Sequence, residues 1–203
     1  MGTAGVDEKT ILNAAAKVFA EKGYDGARVD EIAAEAGMNK AMLYYRVGDK
    51  EELYRRVVLK GQKTFTDSVD RAISSASGPE EGIAGIVEAI AANAAESRLV
   101  PSIILREIAG GGSTLPPEGM AGIGRLMETV RNLVNDGAEK GFFRRVDPAA
   151  LQFMVMGAVF TLSLTADMRK TISPDAPGPL TADEIASSIC GILFQGIFPG
   201  GGE

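Results

Sequence analysis

Apolar residues recur at helical spacing along almost the whole chain. Ile11, Ala15 and Val18 fall on one face of a helix that Gly23 would end. We find no convincing run that alternates apolar and polar residues at period two, as a half-buried strand would. Every proline can be placed in a loop or in the first turn of a helix, where a missing backbone N–H does no harm. The pattern therefore predicts an all-α fold.

About nine helices account for this pattern. Their predicted ranges are 7–22, 29–36, 40–47, 50–75, 79–97, 101–109, 118–140, 148–170 and 181–198. Three helix starts carry an N-capping residue: Asp49, Asp147 and Thr181. Turn-rich stretches at 110–119 and 173–180 are predicted to be loops.

Two short helices near the N-terminus are joined by only a few residues. Ile32 and Ala33 give the first of them one apolar face, Gly37 permits a tight turn, and Asn39 can cap the second. A longer helix before them can brace the pair. This is a helix-turn-helix pattern, in which the second helix enters the major groove of DNA.

The second short helix combines cations with aromatic hydroxyls. Lys40 lies in its first turn, where it could donate to guanine or to a phosphate, and Tyr44 follows on the same face. Tyr45 points in a different direction from Tyr44. The ring of one tyrosine could therefore pack against the protein while the hydroxyl of the other reaches a DNA phosphate. Lys50, at the start of the next helix, could bind the DNA backbone. A second interpretation stays open: the rings are half-buried packing residues and the cations form a solvated face.

Charge does not decide between these interpretations. The chain has 21 basic and 27 acidic residues, and residues 1–60 hold ten of each sign. A neutral domain can still bind DNA through a locally basic surface, and its affinity should then fall steeply with salt.

The absence of histidine removes the commonest general base together with the Ser-His and Cys-His dyads. The carboxylate pairs at 30–31, 51–52 and 80–81 stand near predicted helix starts, where the helix dipole favours negative charge. We therefore expect no enzymatic activity, no cofactor and no metal site. An enzyme built on carboxylates is the weaker alternative.

The single cysteine, Cys190, excludes a disulfide framework within the chain and suits a reducing cytosol. The longest apolar stretch, 153–160, is far shorter than the roughly 20 residues that span a bilayer, and the N-terminal residues lack a signal-peptide pattern. We expect a soluble, cytoplasmic protein without a membrane partner.

Several landmarks occur in order between residues 11 and 57. They are Ala15, Phe19, Gly23-Tyr24, DEIAAEAG at 30–37, LYY at 43–45 and KEEL at 50–53. With them, this stretch resembles the DNA-binding domain of the TetR/AcrR family of transcriptional regulators. The resemblance implies base contacts from Lys40, Ala41 and Met42. It implies phosphate contacts from Tyr44, Tyr45 and Lys50.

Five residues that depart from the family pattern bear on DNA binding. Ala27 and Arg28 replace a usual pair of small hydroxyl residues, which weakens a helix cap, although Arg28 could contact a phosphate as a cation. Met42 replaces a small or polar residue and could contact a thymine methyl. Arg46 and Val47 replace a usual His-Phe pair, and Arg46 adds a possible phosphate contact.

The last two predicted helices have little polar face, so each should be buried on all sides. One side would face the core and the other a second subunit, and the resemblance implies the same four-helix dimer interface. The residues predicted at this interface are Gly157, Ala158, Cys190, Gly191 and Phe194. Cys190 is interpreted as a small packing residue, with a redox sensor as the alternative.

The middle helices would enclose an effector cavity, as the resemblance implies. Its predicted lining is Phe65, Ile86, Ile103, Arg106, Met127, Gln152, Met156 and Phe160. Arg106 would need an anionic partner there, either the effector or an internal carboxylate such as Glu107.

Together these features predict a homodimeric regulator with a helix-turn-helix domain at 1–49 and a sensing and dimerisation domain at 50–203. We expect it to repress transcription from operator DNA and to be released by a small apolar or amphipathic effector. The alternative is a helical ligand-binding or interaction protein with weakened DNA binding.

Overall fold

The computed structural model describes residues 6–197, and within that range it contains ten α-helices and no strand. In chain order they are α1 (Glu8–Gly26), α2 (Val29–Glu35), α3 (Lys40–Val47), α4 (Lys50–Ser75), α5 (Pro79–Glu96), α6 (Leu99–Ala109), α7 (Pro117–Glu139), α8 (Pro148–Leu164), α9 (Ala166–Ile172) and α10 (Ala182–Ile197). The predicted all-α class is confirmed. The predicted end of the last helix, at 198, lies outside the described residues.

The chain forms two compact units. The N-terminal unit combines the chain up to Lys63 with Leu99–Met120, and the C-terminal unit combines Thr64–Arg98 with the chain from Ala121 onward. The helices α4 and α7 each run from one unit into the other. The predicted boundary between a DNA-binding domain at 1–49 and a sensing domain at 50–203 stays a prediction, because the two compact units are defined by packing and not by function.

Apolar residues of α1 to α4 form the core of the N-terminal unit. Phe19, Ile32, Leu43 and Leu53 are almost fully buried there. The helix α6 packs against α1 and adds Ile103 to the same core. This packing fixes the orientation of α3 within the unit.

Three helices, α5, α8 and α10, pack on one another in the C-terminal unit. Val87, Ile90, Val159 and Ile185 are buried among them. A Cβ on Gly85 would lie 2.8 Å from the Cβ of Ala72, so α5 also approaches the end of α4 very closely. Small residues thus allow the helices of this unit to pack tightly.

The prediction of one helix over 148–170 is wrong, because Thr165 separates α8 from α9. The two helices are bent by 75°. The hydroxyls of Thr161 and Thr165 donate to carbonyls one turn earlier, and Arg169 donates to the carbonyl of Leu162 and to the Thr165 hydroxyl, at 2.7 and 2.9 Å. Side chains that occupy backbone carbonyls compete with the helical hydrogen bonds and favour a bend.

Within residues 6–197, no single helix has both the length and the apolar composition to cross a membrane. The bent pair of α8 and α9 meets those two criteria only when taken together.

Two glycines of α7 offer a matched pair of substitutions. A Cβ on Gly137 would overlap Cδ2 of the buried Phe143 ring, whereas a Cβ on Gly124 meets no described atom within 4 Å. We expect Gly124→Ala to raise the free energy of unfolding by about 0.5–1 kcal/mol, because alanine favours the helix. We expect Gly137→Ala to lower it by about 1–3 kcal/mol, because the ring must move. Urea unfolding of both variants checks this, and effects of the same sign would contradict the close ring contact.

Candidate DNA-binding surface and cavities

The helix α3 is set by a turn, a cap and two buried residues. Gly37 has a φ of +68°, in the left-handed region that favours glycine. The Asn39 side chain accepts a hydrogen bond from the Met42 backbone N–H at 2.8 Å, so the predicted cap is confirmed. Leu43 and Val47, one turn apart, are buried in the core. The opposite face of α3 therefore points to solvent.

That face carries large side chains that no core contact explains. Met42 is 46% exposed, Tyr44 is 42% exposed and Tyr45 is 90% exposed. Ala41 beside them is also exposed. Large apolar groups are costly to leave in water, so a cluster on one short helix indicates a surface that binds a partner.

The cations of this surface have intramolecular partners. The Lys40 ammonium lies 2.9 Å from the Asp30 carboxylate of α2, and this hydrogen bond raises the pKa of Lys40. Arg46 donates to the backbone carbonyl of Val6, close in space although distant in sequence. Exposed ion pairs contribute little net stability, so exchange of such a partner for a DNA phosphate should cost little.

Arg28 and Lys50 lie at the N-termini of α2 and α4, the helices before and after α3. Arg28 is the N-cap of α2 and makes no side-chain capping hydrogen bond, so the expected weak cap is confirmed. It is exposed to solvent. The Lys50 ammonium lies 4.6 Å from the Tyr24 ring centroid and donates to the Asp25 carbonyl at 3.3 Å. Both cations lie at helix N-termini, in the unit that contains α3.

Arg106 makes contacts that the sequence did not predict. Its guanidinium donates to the carbonyls of Ala20 and Glu21, at 2.9 and 2.7 Å. The regular part of α1 ends there, because Gly23 has non-helical dihedral angles. Carbonyls at a helix end lack intrahelical donors, and a cation there is favourable. Arg106 thus binds the end of α1, and the described contacts include no carboxylate partner for it.

Glu107 has hydrogen-bond partners that the sequence does not predict. It is buried, and its carboxylate accepts hydrogen bonds from the Tyr54 hydroxyl, at 2.5 Å, and from Thr114. Burial and the neighbouring carboxylate raise the pKa of Tyr54, so its hydroxyl remains a donor. The cluster connects α4, α6 and the loop after α6.

Four of the predicted cavity residues line two different cavities. Ile103 and Arg106 line a cavity of about 290 Å³ in the N-terminal unit, beside Tyr54 and Glu107. Ile86 and Gln152 line a different, apolar cavity in the C-terminal unit. The remaining four predicted residues line neither of these two: Phe65, Met127, Met156 and Phe160.

The predicted dimer residues lie on α8 and α10. A Cβ on Gly157 or on Gly191 would meet no described atom within 4 Å, and Ala158, Cys190 and Phe194 are half-buried. Ile192, next to Gly191, is 76% exposed. Burial raises the pKa of the Cys190 thiol, which lowers the thiolate fraction and favours the packing interpretation over the redox one.

The α2–turn–α3 geometry and the exposed face of α3 define a helix-turn-helix DNA-binding protein. A family model described as "Bacterial regulatory proteins, tetR family" matches residues 11–57. The HTH-type transcriptional repressor SCO4008 of Streptomyces coelicolor is 30% identical over 164 residues, which cover 80% of each chain. The chain therefore belongs to the tetR family and is a DNA-binding transcriptional regulator.

Other relatives match over shorter or more divergent stretches. The biofilm operon regulator IcaR of Staphylococcus epidermidis is 46% identical over 57 residues, 28% of this chain and 31% of that protein. The ketosteroid transcriptional regulator KstR2 of Mycobacterium tuberculosis shares the fold, with a TM-score of 0.76 and 20% identity over 96% of this chain and 97% of that one. AibR in complex with isovaleryl coenzyme A and operator DNA has a TM-score of 0.71 and 25% identity, over 92% and 97%.

Proposed function

We propose that this protein is a homodimeric repressor that binds operator DNA through α3 and is released when a small effector binds within residues 50–203. The observation that supports this most is the exposed face of α3, with its tyrosines and Met42 held out to solvent by the buried Leu43 and Val47. The relative SCO4008 is named a repressor, and AibR was solved with both an acyl coenzyme A and operator DNA.

Each exposed group of α3 has a role in this proposal. Ala41 and Met42 meet base edges, with the Met42 side chain against a thymine methyl. The Tyr44 and Tyr45 hydroxyls donate to phosphate oxygens. The cations meet bases or the DNA backbone: Arg28, Lys40, Arg46 and Lys50.

Dimerisation would place two copies of α3 in successive major grooves. The exposed apolar side chains of α8 and α10 support this step, since Phe153, Met154 and Ile192 are each about half exposed or more. Packing against the same face of a second copy would remove them from water, in a symmetric interface. Gly157 and Gly191 would allow close approach of the helices.

The test is fluorescence anisotropy with the DNA that flanks the gene of this protein, against a scrambled duplex, over a salt series. We expect selective binding whose affinity falls steeply with salt, because several phosphates are contacted. Equal, weak binding to both duplexes would mean that the flanking DNA lacks the operator, and a genome-wide binding selection would then be used to find it. Equal, weak binding to every recovered duplex would contradict the proposal.

Tyr45→Phe tests one contact without disturbing the fold. The ring is 90% exposed, so loss of its hydroxyl leaves the core intact. We expect the operator affinity of the dimer to fall roughly 30-fold, because each of its two subunits loses one hydrogen bond to a phosphate, worth about 1 kcal/mol. The dimer should remain intact by sedimentation. An unchanged affinity would remove Tyr45 from the DNA contacts.

A further inference from the structure

The N-terminal unit contains a cavity of about 290 Å³, bounded by the end of α1, by α4, by α6 and by the loop after α6. A water molecule occupies about 30 Å³ of liquid, so the cavity has room for a small organic ligand. Phe19, Tyr54 and Glu107 are buried residues of its wall, whereas Lys22 and Arg106 are exposed. The cavity is therefore reached from solvent past charged side chains, and its buried wall carries aromatic rings and a carboxylate.

One oxygen of the Glu107 carboxylate faces this cavity. The described hydrogen bonds of the carboxylate, from the Tyr54 and Thr114 hydroxyls, both end on Oε1. Oε2 accepts none from residues 6–197, and yet the fully buried side-chain atoms without a partner in this range belong to three other residues. Oε2 is thus accessible, although Glu107 as a whole is only 7% exposed. Because Glu107, Tyr54 and Thr114 all line the cavity, the accessible oxygen opens into it.

The charge on Glu107 has no cationic partner. Its two hydrogen-bond donors are neutral hydroxyls, and no ion pair among residues 6–197 includes it. The two cations at the cavity are engaged elsewhere: the Lys22 ammonium lies 2.6 Å from the Glu31 carboxylate, and Arg106 donates to carbonyls at the end of α1. A buried carboxylate is costly unless a cation pairs with it. The cavity therefore favours a positively charged group next to Oε2.

The aromatic part of the wall also suits a cation. The rings of Phe19, Tyr24 and Tyr54 all line the cavity and form one cluster, with centroids between 4.8 and 6.3 Å apart. The faces of aromatic rings attract cations, and the Lys50 ammonium already lies 4.6 Å from the Tyr24 centroid. Asp25 adds a second carboxylate to the lining. Rings and carboxylates together favour an organic cation over an anion or a neutral molecule.

We propose that this cavity binds a small organic cation, a primary ammonium on a compact apolar body. The ammonium donates to Oε2 of Glu107, and the body packs against the rings of Phe19 and Tyr54. This site is additional to the effector site proposed above, because part of its lining comes from α1, outside residues 50–203. Binding stabilises the unit that contains α3, since the cavity exists only in the folded chain.

The four tyrosines allow the site to be observed without DNA. We would label the tyrosine rings of the full chain with ¹³C and titrate phenethylamine, phenethyl alcohol and hydrocinnamate, which carry an ammonium, a hydroxyl and a carboxylate on the same body. Tyr24 and Tyr54 report on the cavity, and the exposed Tyr44 and Tyr45 of α3 are internal controls. We expect phenethylamine to bind about tenfold more tightly than the alcohol, or better, because both partners of its hydrogen bond are charged. Hydrocinnamate should bind more weakly than either.

The variant Glu107→Gln removes the charge and keeps the shape. Glutamine retains an oxygen that can accept from Tyr54 and Thr114, so the variant should fold, which circular dichroism checks. It should bind the amine and the alcohol about equally. Glu118→Gln is the matched control, because Glu118 is an exposed acid of the same unit whose carboxylate lies 3.2 Å from the Arg55 guanidinium, away from the cavity lining. It should keep the preference for the amine. If Glu107→Gln did not fold, the order of affinities in the parent protein would decide alone.

Three results would overturn the inference: equal binding of amine and alcohol by the parent protein, tighter binding of hydrocinnamate, or a preference for the amine that survives in Glu107→Gln. Shifts at Tyr44 and Tyr45 as large as those at Tyr24 and Tyr54 would also overturn it, because the amine would then lie on the surface of α3. The titrations contain no DNA, so their result does not depend on whether the protein binds an operator.

Discussion

Truncation of Phe19 to alanine is expected to destabilise the N-terminal unit by about 3–5 kcal/mol. The side chain is 1% exposed, and its ring lies edge-on to Tyr54 with centroids 4.8 Å apart and stacks near Tyr24 at 6.3 Å. Removal of the ring leaves a cavity and deprives both tyrosines of their partner. Because whole domains are stable by only about 5–15 kcal/mol, this is a large share of the total.

Urea unfolding followed by far-ultraviolet circular dichroism measures the Phe19→Ala effect. Phe142→Ala is the control, since Phe142 is about half exposed and its removal should cost about 1 kcal/mol or less. Operator binding should weaken in Phe19→Ala as well, because the same core holds α3. A destabilisation no larger than that of Phe142→Ala would contradict the buried aromatic cluster.

The helices near the DNA-binding surface were predictable because local signals determine them. Asn39 and Asp49 cap α3 and α4 as the sequence indicates, with hydrogen bonds of 2.8 Å to backbone N–H groups three residues later. The box formed by Thr181 and Glu184 is likewise present. A cap and the residue that it binds lie within one turn, so their spacing is visible in the sequence.

The wrongly predicted helix boundary at Thr165 depends on side-chain contacts that the helical pattern does not reveal. Thr165 reads as an ordinary helical position within 148–170, and the bend there involves Arg169 and several hydroxyls that bind backbone carbonyls. Propensity alone gives threonine only a weak preference against helix, too small to predict an end. Side-chain competition for carbonyls decided the structure instead.

The cavities could not be predicted because tertiary packing selects their lining. Ile86 and Ile103 look alike in sequence, as apolar positions of amphipathic helices, yet they line separate cavities in different units. The sequence indicates Glu107 only as a possible partner for Arg106. Its actual partners, Tyr54 and Thr114, lie 53 and 7 residues away in the sequence. No periodicity connects such positions.

The pair Lys40–Asp30 should show opposite effects on operator binding when each member is replaced. Lys40→Ala removes one cation from the first turn of α3, and a dimer loses it twice. At about 1–2 kcal/mol per contact, the affinity should fall roughly 100-fold, and its dependence on salt should become less steep. Asp30→Asn should instead raise the affinity several-fold, because it removes a negative charge near the phosphates and frees the Lys40 ammonium.

Lys140→Ala is the matched control for this pair, because Lys140 forms an equally short, exposed ion pair with Asp136, also at 2.9 Å, in the C-terminal unit. Loss of that ion pair should cost little stability and leave operator binding unchanged. Anisotropy titrations at two or more salt concentrations measure all three variants. If Asp30→Asn weakened binding as much as Lys40→Ala does, the ion pair would be needed to orient α3, and the interpretation of Lys40 as a direct DNA contact would have to be abandoned.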